Sequence, residues 1–426
     1  MNAWYLLCFL SALAIFIAFT NQYVLKMQTT IAITTGSVVI SLLLILSVKM
    51  LGNGVADGIN EVVSHLNFNQ LLLKGMLGFL LFAGALEIDL YAMKKQRWEI
   101  TILVLFSTLA STFMVGYLSF WLLGELGWQV PFIYCLLFGA LISPTDPIAV
   151  LAIIKQMKAP EGISVQVEGE SLFNDGVGLV VFTTIFAVAF SGTEPTFSGV
   201  AELFLTDAVG GILFGFLLAL VGHFLLMHSK DANIRLLVTL TIPSAGFALA
   251  NLMDISGALA MVVAGIFIGN VTRGKITKAE DDHDRLYVQH FWHATDSFLN
   301  ALLFLLIGLL LVSLPVSLEE VGLGLLMVPV VLLARFVSVG IPYLGFRQFR
   351  RYDLNSVRIL TWGGLRGGLA LAMAASIPSG KMIVNGVDLH SLIVIMTYVV
   401  VIFSIIIQGL TISPLIRRSI EAAKGS

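Results

Sequence analysis

The chain has 426 residues and a formal net charge of −2, with 58% hydrophobic and only 12% charged residues. Soluble domains carry about 25% charged residues, so the composition excludes an ordinary soluble globular protein. Both cysteines, Cys8 and Cys135, lie in apolar segments far apart, so no disulfide framework is indicated. Successive apolar segments of roughly 20 residues match the hydrocarbon thickness that a helix must cross. We therefore predict an all-α polytopic membrane protein.

Taken in chain order, the apolar segments predict thirteen membrane spans. No polar stretch between them is long enough to fold as a separate soluble domain, so we expect one transmembrane unit over residues 1–426. The approximate limits of the spans are 4–20, 30–49, 70–88, 99–123, 131–156, 166–190, 202–227, 234–253, 256–271, 295–313, 323–346, 357–377 and 390–413.

The distribution of basic residues predicts the orientation of these spans. With the N-terminus outside, most of the 24 lysines and arginines fall in loops on the cytoplasmic side. Only Lys49, Lys74 and Lys381 fall outside, and Arg335 and Arg366 fall within spans. Because an error of one span would scramble this asymmetry, we predict an external N-terminus and a cytoplasmic C-terminus.

The sixth span contains two carboxylates in the segment GESLFNDGVG, residues 169–178. A charged group in the bilayer core costs at least ~3 kcal/mol, so it is paired, solvated or functional. Asp175 falls about ten residues into the span, near the midplane, and shares a helix face with Ser171. Glu170 and Asn174 share the adjacent face. We predict a ligand-binding face at Asp175 and a helix-pairing face at Glu170; a polar network that only holds helices together is the alternative.

The fifth span contains two prolines three residues apart, Pro144 and Pro147, in SPTDPIAV. Each proline lacks an N–H and clashes with the preceding turn, which excludes one continuous helix. We predict that the first half ends near Ser143 and that Thr145 lies in an extended crossing. Asp146 then caps the second half, whose first residue is Pro147. We expect the freed carbonyls to serve as ion ligands, because irregular backbone at this depth lines a cavity or is buried. A simple kink with Asp146 as a cap is the alternative.

The twelfth span carries four glycines around Arg366 in TWGGLRGGLALAM. Glycine at this density weakens a helix and permits close approach of another backbone. Spans five and twelve run in opposite directions, and two interrupted spans in corresponding positions are typical of an inverted-repeat transporter. We therefore predict two crossed discontinuous helices, with Arg366 compensating their free ends. Tight packing through small residues alone is the alternative.

Other charged residues lie within spans or near their ends. Arg335 falls in the middle of span eleven, where an unpaired arginine is costly, and we expect a mainly structural ion pair with Glu170. Glu87 lies near the cytoplasmic end of span three. It is either an ordinary interfacial charge, which we favour slightly, or an acidic group in the ion's access funnel. Asp207 and Asp296 are interpreted as interfacial.

Other chemistries receive little support. The sequence has no P-loop, GxSxG or HExxH motif, and its seven histidines lack metal-ligand spacing. Residues 275–294, KITKAEDDHDRLYVQHFWHA, predict a charged surface helix on the cytoplasmic side. Its histidines, His293 among them, either sense pH or belong to a solvated amphipathic face, which we favour. We expect no cofactor and no nucleic-acid partner.

The motifs SPTDPIAV, GESLFNDGVG and TWGGLRGGLALAM together resemble the cation–proton antiporters, in the branch of NhaP-type sodium–proton antiporters and animal sodium–proton exchangers. The resemblance covers nearly the whole chain. It implies a homodimer in the bacterial inner membrane, with a core domain from spans near 70–190 and part of 295–377, and a dimerisation domain. Because the chain ends soon after span thirteen, no cytoplasmic regulatory domain like that of the animal exchangers is expected.

The resemblance also implies roles for individual residues. Asp175 is the carrier of cation and proton, and Glu170 pairs with Arg335. An acidic residue at the cytoplasmic entrance corresponds to Glu87. The residues implied for the Na⁺ site are Asp175, Asp146, Thr145 and Ser171, beside Asn174.

A mechanism follows from the same residues. Na⁺ prefers oxygen ligands, as other hard cations do, and a proton competes with it for Asp175. The core domain moves only when Asp175 is neutralised, since a bare charge is costly in a dry barrier. Because Asn174 carries no titratable proton, we expect electroneutral one-for-one exchange of H⁺ for Na⁺, with Li⁺ and K⁺ left open. A channel, a proton-coupled transporter of organic anions and an intramembrane enzyme are the rival interpretations.

Overall fold

A computed structural model describes residues 3–51, 70–157, 161–190, 196–272, 282–314, 317–346 and 354–424. Nine helices within these ranges are long and apolar enough to cross a membrane, and three apolar helices are shorter. Helix overlaps each of the thirteen predicted intervals. The prediction of an all-α membrane protein is confirmed, whereas the number of spans and their orientation stay predictions.

The helices have sharper limits than the apolar segments that predict them. In chain order they are Ala3–Tyr23, Thr29–Leu51, Leu77–Glu87, Leu90–Lys95, Arg97–Ile102, Thr108–Glu125, Phe132–Ile142, Ile148–Gln156, Glu161–Phe190, Phe197–His228, Ala232–Thr241, Phe247–Leu252, Gly257–Phe267, Asp282–Leu309, Leu318–Phe346, Leu354–Trp362, Gly368–Ala375, Leu389–Phe403 and Gly409–Lys424. Helical turns of other pitch extend or join them at Gln70–Met76, Leu103–Ser107, Ile242–Gly246, Ile268–Thr272, Leu310–Ser313 and Ser404–Gln408.

A small hairpin that the apolar pattern does not predict precedes the last span. Strand Ile383–Val384 pairs antiparallel with Val387–Asp388. Asn385 and Gly386 form the turn and both have positive φ, at 51° and 81°. An Asn-Gly turn of this kind matches the twist of the strands that it joins.

Two helices are interrupted where the sequence predicts breaks. The first broken helix consists of Phe132–Ile142 and Ile148–Gln156, separated by the segment that holds both prolines. The second broken helix consists of Leu354–Trp362 and Gly368–Ala375, separated by the glycine-rich segment. The first broken helix is interrupted because its two prolines have no backbone N–H to donate. The weak helix propensity of glycine favours the interruption of the second broken helix.

The continuous helix Glu161–Phe190, called here the carboxylate helix, packs directly against the gap of the first broken helix. A Cβ atom at Gly178 would collide with the ring of Pro144. Glycine at this position therefore permits the close approach that brings the polar residues of the carboxylate helix to the gap.

The described part of the segment predicted as a charged surface helix continues into a helix that is long and apolar enough to cross a membrane. Residues 275–281 lie outside the described ranges, but Asp282–Leu309 is one uninterrupted helix. Trp292 anchors one face of this helix: its indole is buried, lies edge-on to Phe82 at 5.1 Å between ring centroids, and donates a hydrogen bond to Thr239 Oγ1 at 3.0 Å. A helix is observed over this segment from residue 282 onwards, with Tyr287 exposed and Trp292 buried on another face.

Candidate ion-binding site

Hydrogen bonds join the two broken helices where they cross. The backbone N–H of Asp146 donates to the carbonyl oxygen of Leu365 at 2.8 Å. Arg366 Nη1 donates to the carbonyl oxygens of Ser143, at 2.5 Å, and Pro144, at 3.0 Å. Arg366 is 2% exposed, so a full positive charge meets the negative end of the first half-helix. These two carbonyls, which the sequence suggests as ion ligands, are thus engaged by Arg366.

Thr145 is held in the gap by the carboxylate helix. Its carbonyl oxygen accepts a hydrogen bond from Ser171 Oγ at 2.6 Å. Its hydroxyl accepts from Asn174 Nδ2 at 2.8 Å, and its backbone N–H donates to Asn174 Oδ1 at 3.3 Å. The interruption therefore leaves no polar group of Thr145 unpaired, as buried backbone requires. A carbonyl oxygen has two lone pairs, so that of Thr145 retains capacity for a cation.

Asp146 faces both broken helices at once. Its Oδ1 accepts a hydrogen bond from the backbone N–H of Ile148 at 3.1 Å, so it caps the second half-helix, which begins at Ile148 and not at Pro147. A Cβ atom at Gly367 would collide with the Asp146 carboxylate. The glycine therefore allows the second broken helix to lie directly against this carboxylate.

Asp146 and Asp175 open into the same cavity, which has a volume of about 550 Å³. Ser171 and Glu87 also line it, so the structure brings four of the predicted site residues to one space. Among the described residues, no group of three or more His, Cys, Asp and Glu side chains converges as in a resident metal site. The cavity wall presents carboxylate oxygens from Asp146 and Asp175 and a hydroxyl oxygen from Ser171.

Glu170 and Arg335 lie behind the cavity, between helices. Glu170 Oε1 is 2.6 Å from Arg335 Nη1, and the two side chains are each 3% exposed. Arg335 also donates to Ser107 Oγ at 3.1 Å and to the carbonyl oxygen of Leu360 at 3.4 Å. Arg335 thus links the carboxylate helix to the second broken helix. Asn174 does not take part in this cluster, since it bonds Thr145 instead.

Two polar side-chain pairs lie on the rim of the cavity. His293 Nδ1 is 3.3 Å from Glu87 Oε1, and Lys155 Nζ is 3.7 Å from Glu168 Oε1. The side chains of His293 and Glu87 are 70% and 41% exposed. These exposures identify this part of the cavity as its mouth.

The cavity wall also contains polar residues to which the sequence analysis assigns no role in the site. Asp296, interpreted from the sequence as interfacial, lines the cavity together with Ser297 and Asn300. Their spacing on one helix face was a signal that could have found them. The charged residues before them instead suggested a solvated surface.

Comparisons with known proteins agree along almost the whole chain. The family model described as "Sodium/hydrogen exchanger, transmembrane" matches residues 13–418. A Na⁺/H⁺ antiporter NhaP from Pseudomonas aeruginosa is 41% identical over 413 residues, covering 96% of this chain and 95% of the relative. A Na⁺/H⁺ antiporter NhaH from Halobacillus aidingensis is 29% identical over 385 residues, covering 89% of this chain and 91% of the relative.

The fold is also that of a solved structure. The sodium proton antiporter MjNhaP1 from Methanocaldococcus jannaschii at pH 8 superposes with a TM-score of 0.73. The two chains are 18% identical, and the match covers 98% of this chain and 99% of the other.

Proposed function

The chain belongs to the sodium/hydrogen exchanger family, and on this premise we propose that it exchanges Na⁺ for H⁺ across the membrane with Asp175 as carrier. The family membership confirms the resemblance of the three motifs. Its relatives are named antiporters, which are transporters and not enzymes. One observation carries the proposal: Asp175 and Asp146 open into one cavity at the crossing of two broken helices.

The ligands of the cation are oxygen atoms from both sides of the crossing. Asp175 and Ser171 contribute from the carboxylate helix, and Asp146 and the Thr145 carbonyl contribute from the first broken helix. Oxygen ligands suit Na⁺ as a hard cation. The volume of about 550 Å³ supports this assignment, because it leaves room for water to complete the coordination shell.

Competition for Asp175 couples the two fluxes. A proton and Na⁺ cannot both neutralise the same carboxylate, so each turnover carries one or the other. The core domain alternates between the two sides of the membrane only in a neutralised state, because moving a bare charge through a dry barrier is costly. Arg335 is paired with Glu170, and Arg366 donates hydrogen bonds to the carbonyl oxygens of Ser143 and Pro144. Neither arginine therefore provides a counter-charge for Asp175.

Electroneutral exchange follows if Asp175 is the only carrier. Asn174 is neutral and is held by Thr145. Asp146 caps a half-helix, where negative charge is favoured, so we assign it a constant negative charge. One proton then moves for each cation.

The protein acts as a homodimer in the bacterial inner membrane, with the cavity open to the cytoplasm. The similarity to an antiporter of Pseudomonas aeruginosa supports the bacterial membrane. The dimer rests on the family resemblance, and a cross-linked or native-mass dimer of the purified protein would test it.

The proposed exchange is tested in proteoliposomes that hold a pH-sensitive dye. Addition of Na⁺ outside acidic liposomes should raise the internal pH, with saturation, and reversal of the imposed pH gradient should reverse the flux. Parallel additions of Li⁺ and K⁺ define the cation preference. Flux that does not saturate, or Na⁺ movement without proton counter-movement, would identify a channel and refute the proposal.

A further inference from the structure

A polar stripe on the helix Asp282–Leu309 leads from the mouth of the cavity toward the crossing. His293, Asp296 and Asn300 line the cavity at spacings of three and four residues, which places them on one helix face. Seven residues separate the first from the last, roughly 10 Å of helix. Exposure falls along the stripe, from 70% for the His293 side chain to 4% for Asn300. The next turn ends it, where Leu303 contacts Gly368 of the second broken helix.

Asn300 has an oxygen atom that no group of the described protein satisfies. Its side chain is a hydrogen-bond partner of the Asp296 carboxylate. A carboxylate only accepts, so the amide nitrogen of Asn300 donates to it. The amide oxygen Oδ1 is then free, and it is buried without a hydrogen-bond partner among the described residues. Buried polar atoms are almost always paired, so this oxygen indicates a ligand from outside the chain.

The charge around Asn300 selects the class of that ligand. Asp296, Asp146 and Asp175 line the same cavity, and three carboxylates repel an anion. The basic groups on the rim are paired, since Lys155 lies near Glu168 and His293 near Glu87. A free amide oxygen next to a carboxylate is an oxygen donor set for a hard monovalent cation.

We propose that Asp296 and Asn300 form a second cation site, which Na⁺ occupies between the mouth of the cavity and Asp175. This inference rests on the proposed exchange of Na⁺ for H⁺. Asn300 Oδ1 and one Asp296 oxygen bind the cation, and water in the cavity supplies the other ligands. Na⁺ thereby exchanges part of its hydration shell before it reaches Asp175. The site raises the local Na⁺ concentration and leaves the chemistry at Asp175 unchanged.

The transport test compares Asn300→Leu and Asp296→Asn with Asp207→Asn in proteoliposomes. Asp207 is a matched control, because it is a carboxylate within a helix that bonds Thr183 and does not line the cavity. Removal of one polar ligand should raise the KM for Na⁺ by roughly 5- to 10-fold, with the maximal rate and the pH profile unchanged. Asp207→Asn should keep the wild-type KM. An Asn300→Leu variant with a KM within about twofold of wild type would show that Oδ1 binds water only and would overturn the proposal.

A binding test separates the second site from the carrier. In purified Asp175→Asn protein, Na⁺ should still raise the melting temperature relative to choline, and the double variant Asp175→Asn/Asp296→Asn should lose this shift. Equal Na⁺ shifts in the single and double variants would overturn the second site, even if Asn300→Leu fails to fold. Absence of exchange in the wild type would instead refute the proposed function, and the melting measurement would still decide whether Asp296 binds Na⁺.

Discussion

Replacement of Glu170 by Met should destabilise the protein strongly, because it leaves the Arg335 guanidinium buried without a counter-charge. The pair is 2.6 Å apart and both side chains are 3% exposed. With an effective dielectric constant of about 20, charges at this distance attract by about 6 kcal/mol. Among the described residues, Ser107 and the carbonyl of Leu360 would remain as partners of Arg335. After partial relaxation we expect a loss of about 3–5 kcal/mol in the free energy of unfolding.

A double-mutant cycle gives this prediction its sharpest form. Arg335→Met should cost a similar amount, since it strands the Glu170 carboxylate. The double variant Glu170→Met/Arg335→Met should be more stable than the sum of the single losses implies, because a buried pair replaced by apolar side chains is nearly neutral. Unfolding of the detergent-purified variants, followed by denaturant titration, measures all three.

A second ion pair provides the control. Lys155 and Glu168 are 3.7 Å apart, with side chains 58% and 28% exposed. A pair that exposed contributes at most about 1 kcal/mol, so Lys155→Met should change stability little. Strictly additive losses at Glu170 and Arg335, or a loss no larger than that of Lys155→Met, would refute the assignment of a buried structural pair.

Two further predictions concern the crossing and the stoichiometry. Gly367→Ala should weaken Na⁺ affinity and slow exchange, because a Cβ atom there collides with the Asp146 carboxylate. Gly345→Ala is the control, since the space around its Cβ is open. Wild-type kinetics in Gly367→Ala would contradict the close approach of Gly367 to Asp146. A valinomycin-imposed potential should not shift the reversal point of the exchange. If Asp175 is the only carrier, one Na⁺ moves in one direction and one proton in the other, so no net charge crosses the membrane. A shift with inside-negative potential would mean that two protons move per cation and that Asp146 or Glu87 is a second carrier.

The parts of the site that were predictable depend on local covalent chemistry. Pro144 and Pro147 cannot share one uninterrupted helix, so the gap between Ile142 and Ile148 follows from their spacing. The expected pairing of Glu170 with Arg335 came from a different argument, that a membrane interior does not tolerate a lone charge. Neither inference needed knowledge of how distant segments pack.

The parts that were missed depend on tertiary contacts. The sequence analysis placed Arg366 at the free helix ends, and the structure shows it bonded to the carbonyls of Ser143 and Pro144, more than 200 residues earlier in the chain. The local pattern did not show that the arginine occupies these carbonyls, which were expected to be ion ligands. Asp296 and Asn300 follow a charged segment that suggested a solvated helix. Trp292 of the same helix packs against Phe82, and Asp296 and Asn300 line the cavity; both are tertiary contacts that the sequence does not show.

Competition between Na⁺ and a proton for Asp175 is the central claim, and proton release on Na⁺ binding tests it most directly. Purified protein in a weakly buffered solution with a pH-sensitive dye is titrated with NaCl, and choline chloride corrects for ionic strength. The wild type should release up to about one proton per protomer as Na⁺ binds, with the yield set by the fraction protonated at the starting pH. Asp175→Asn should release none, whereas Asp207→Asn should behave as wild type. Proton release that persists in Asp175→Asn, or a wild type that releases no more protons than Asp175→Asn, would contradict the account.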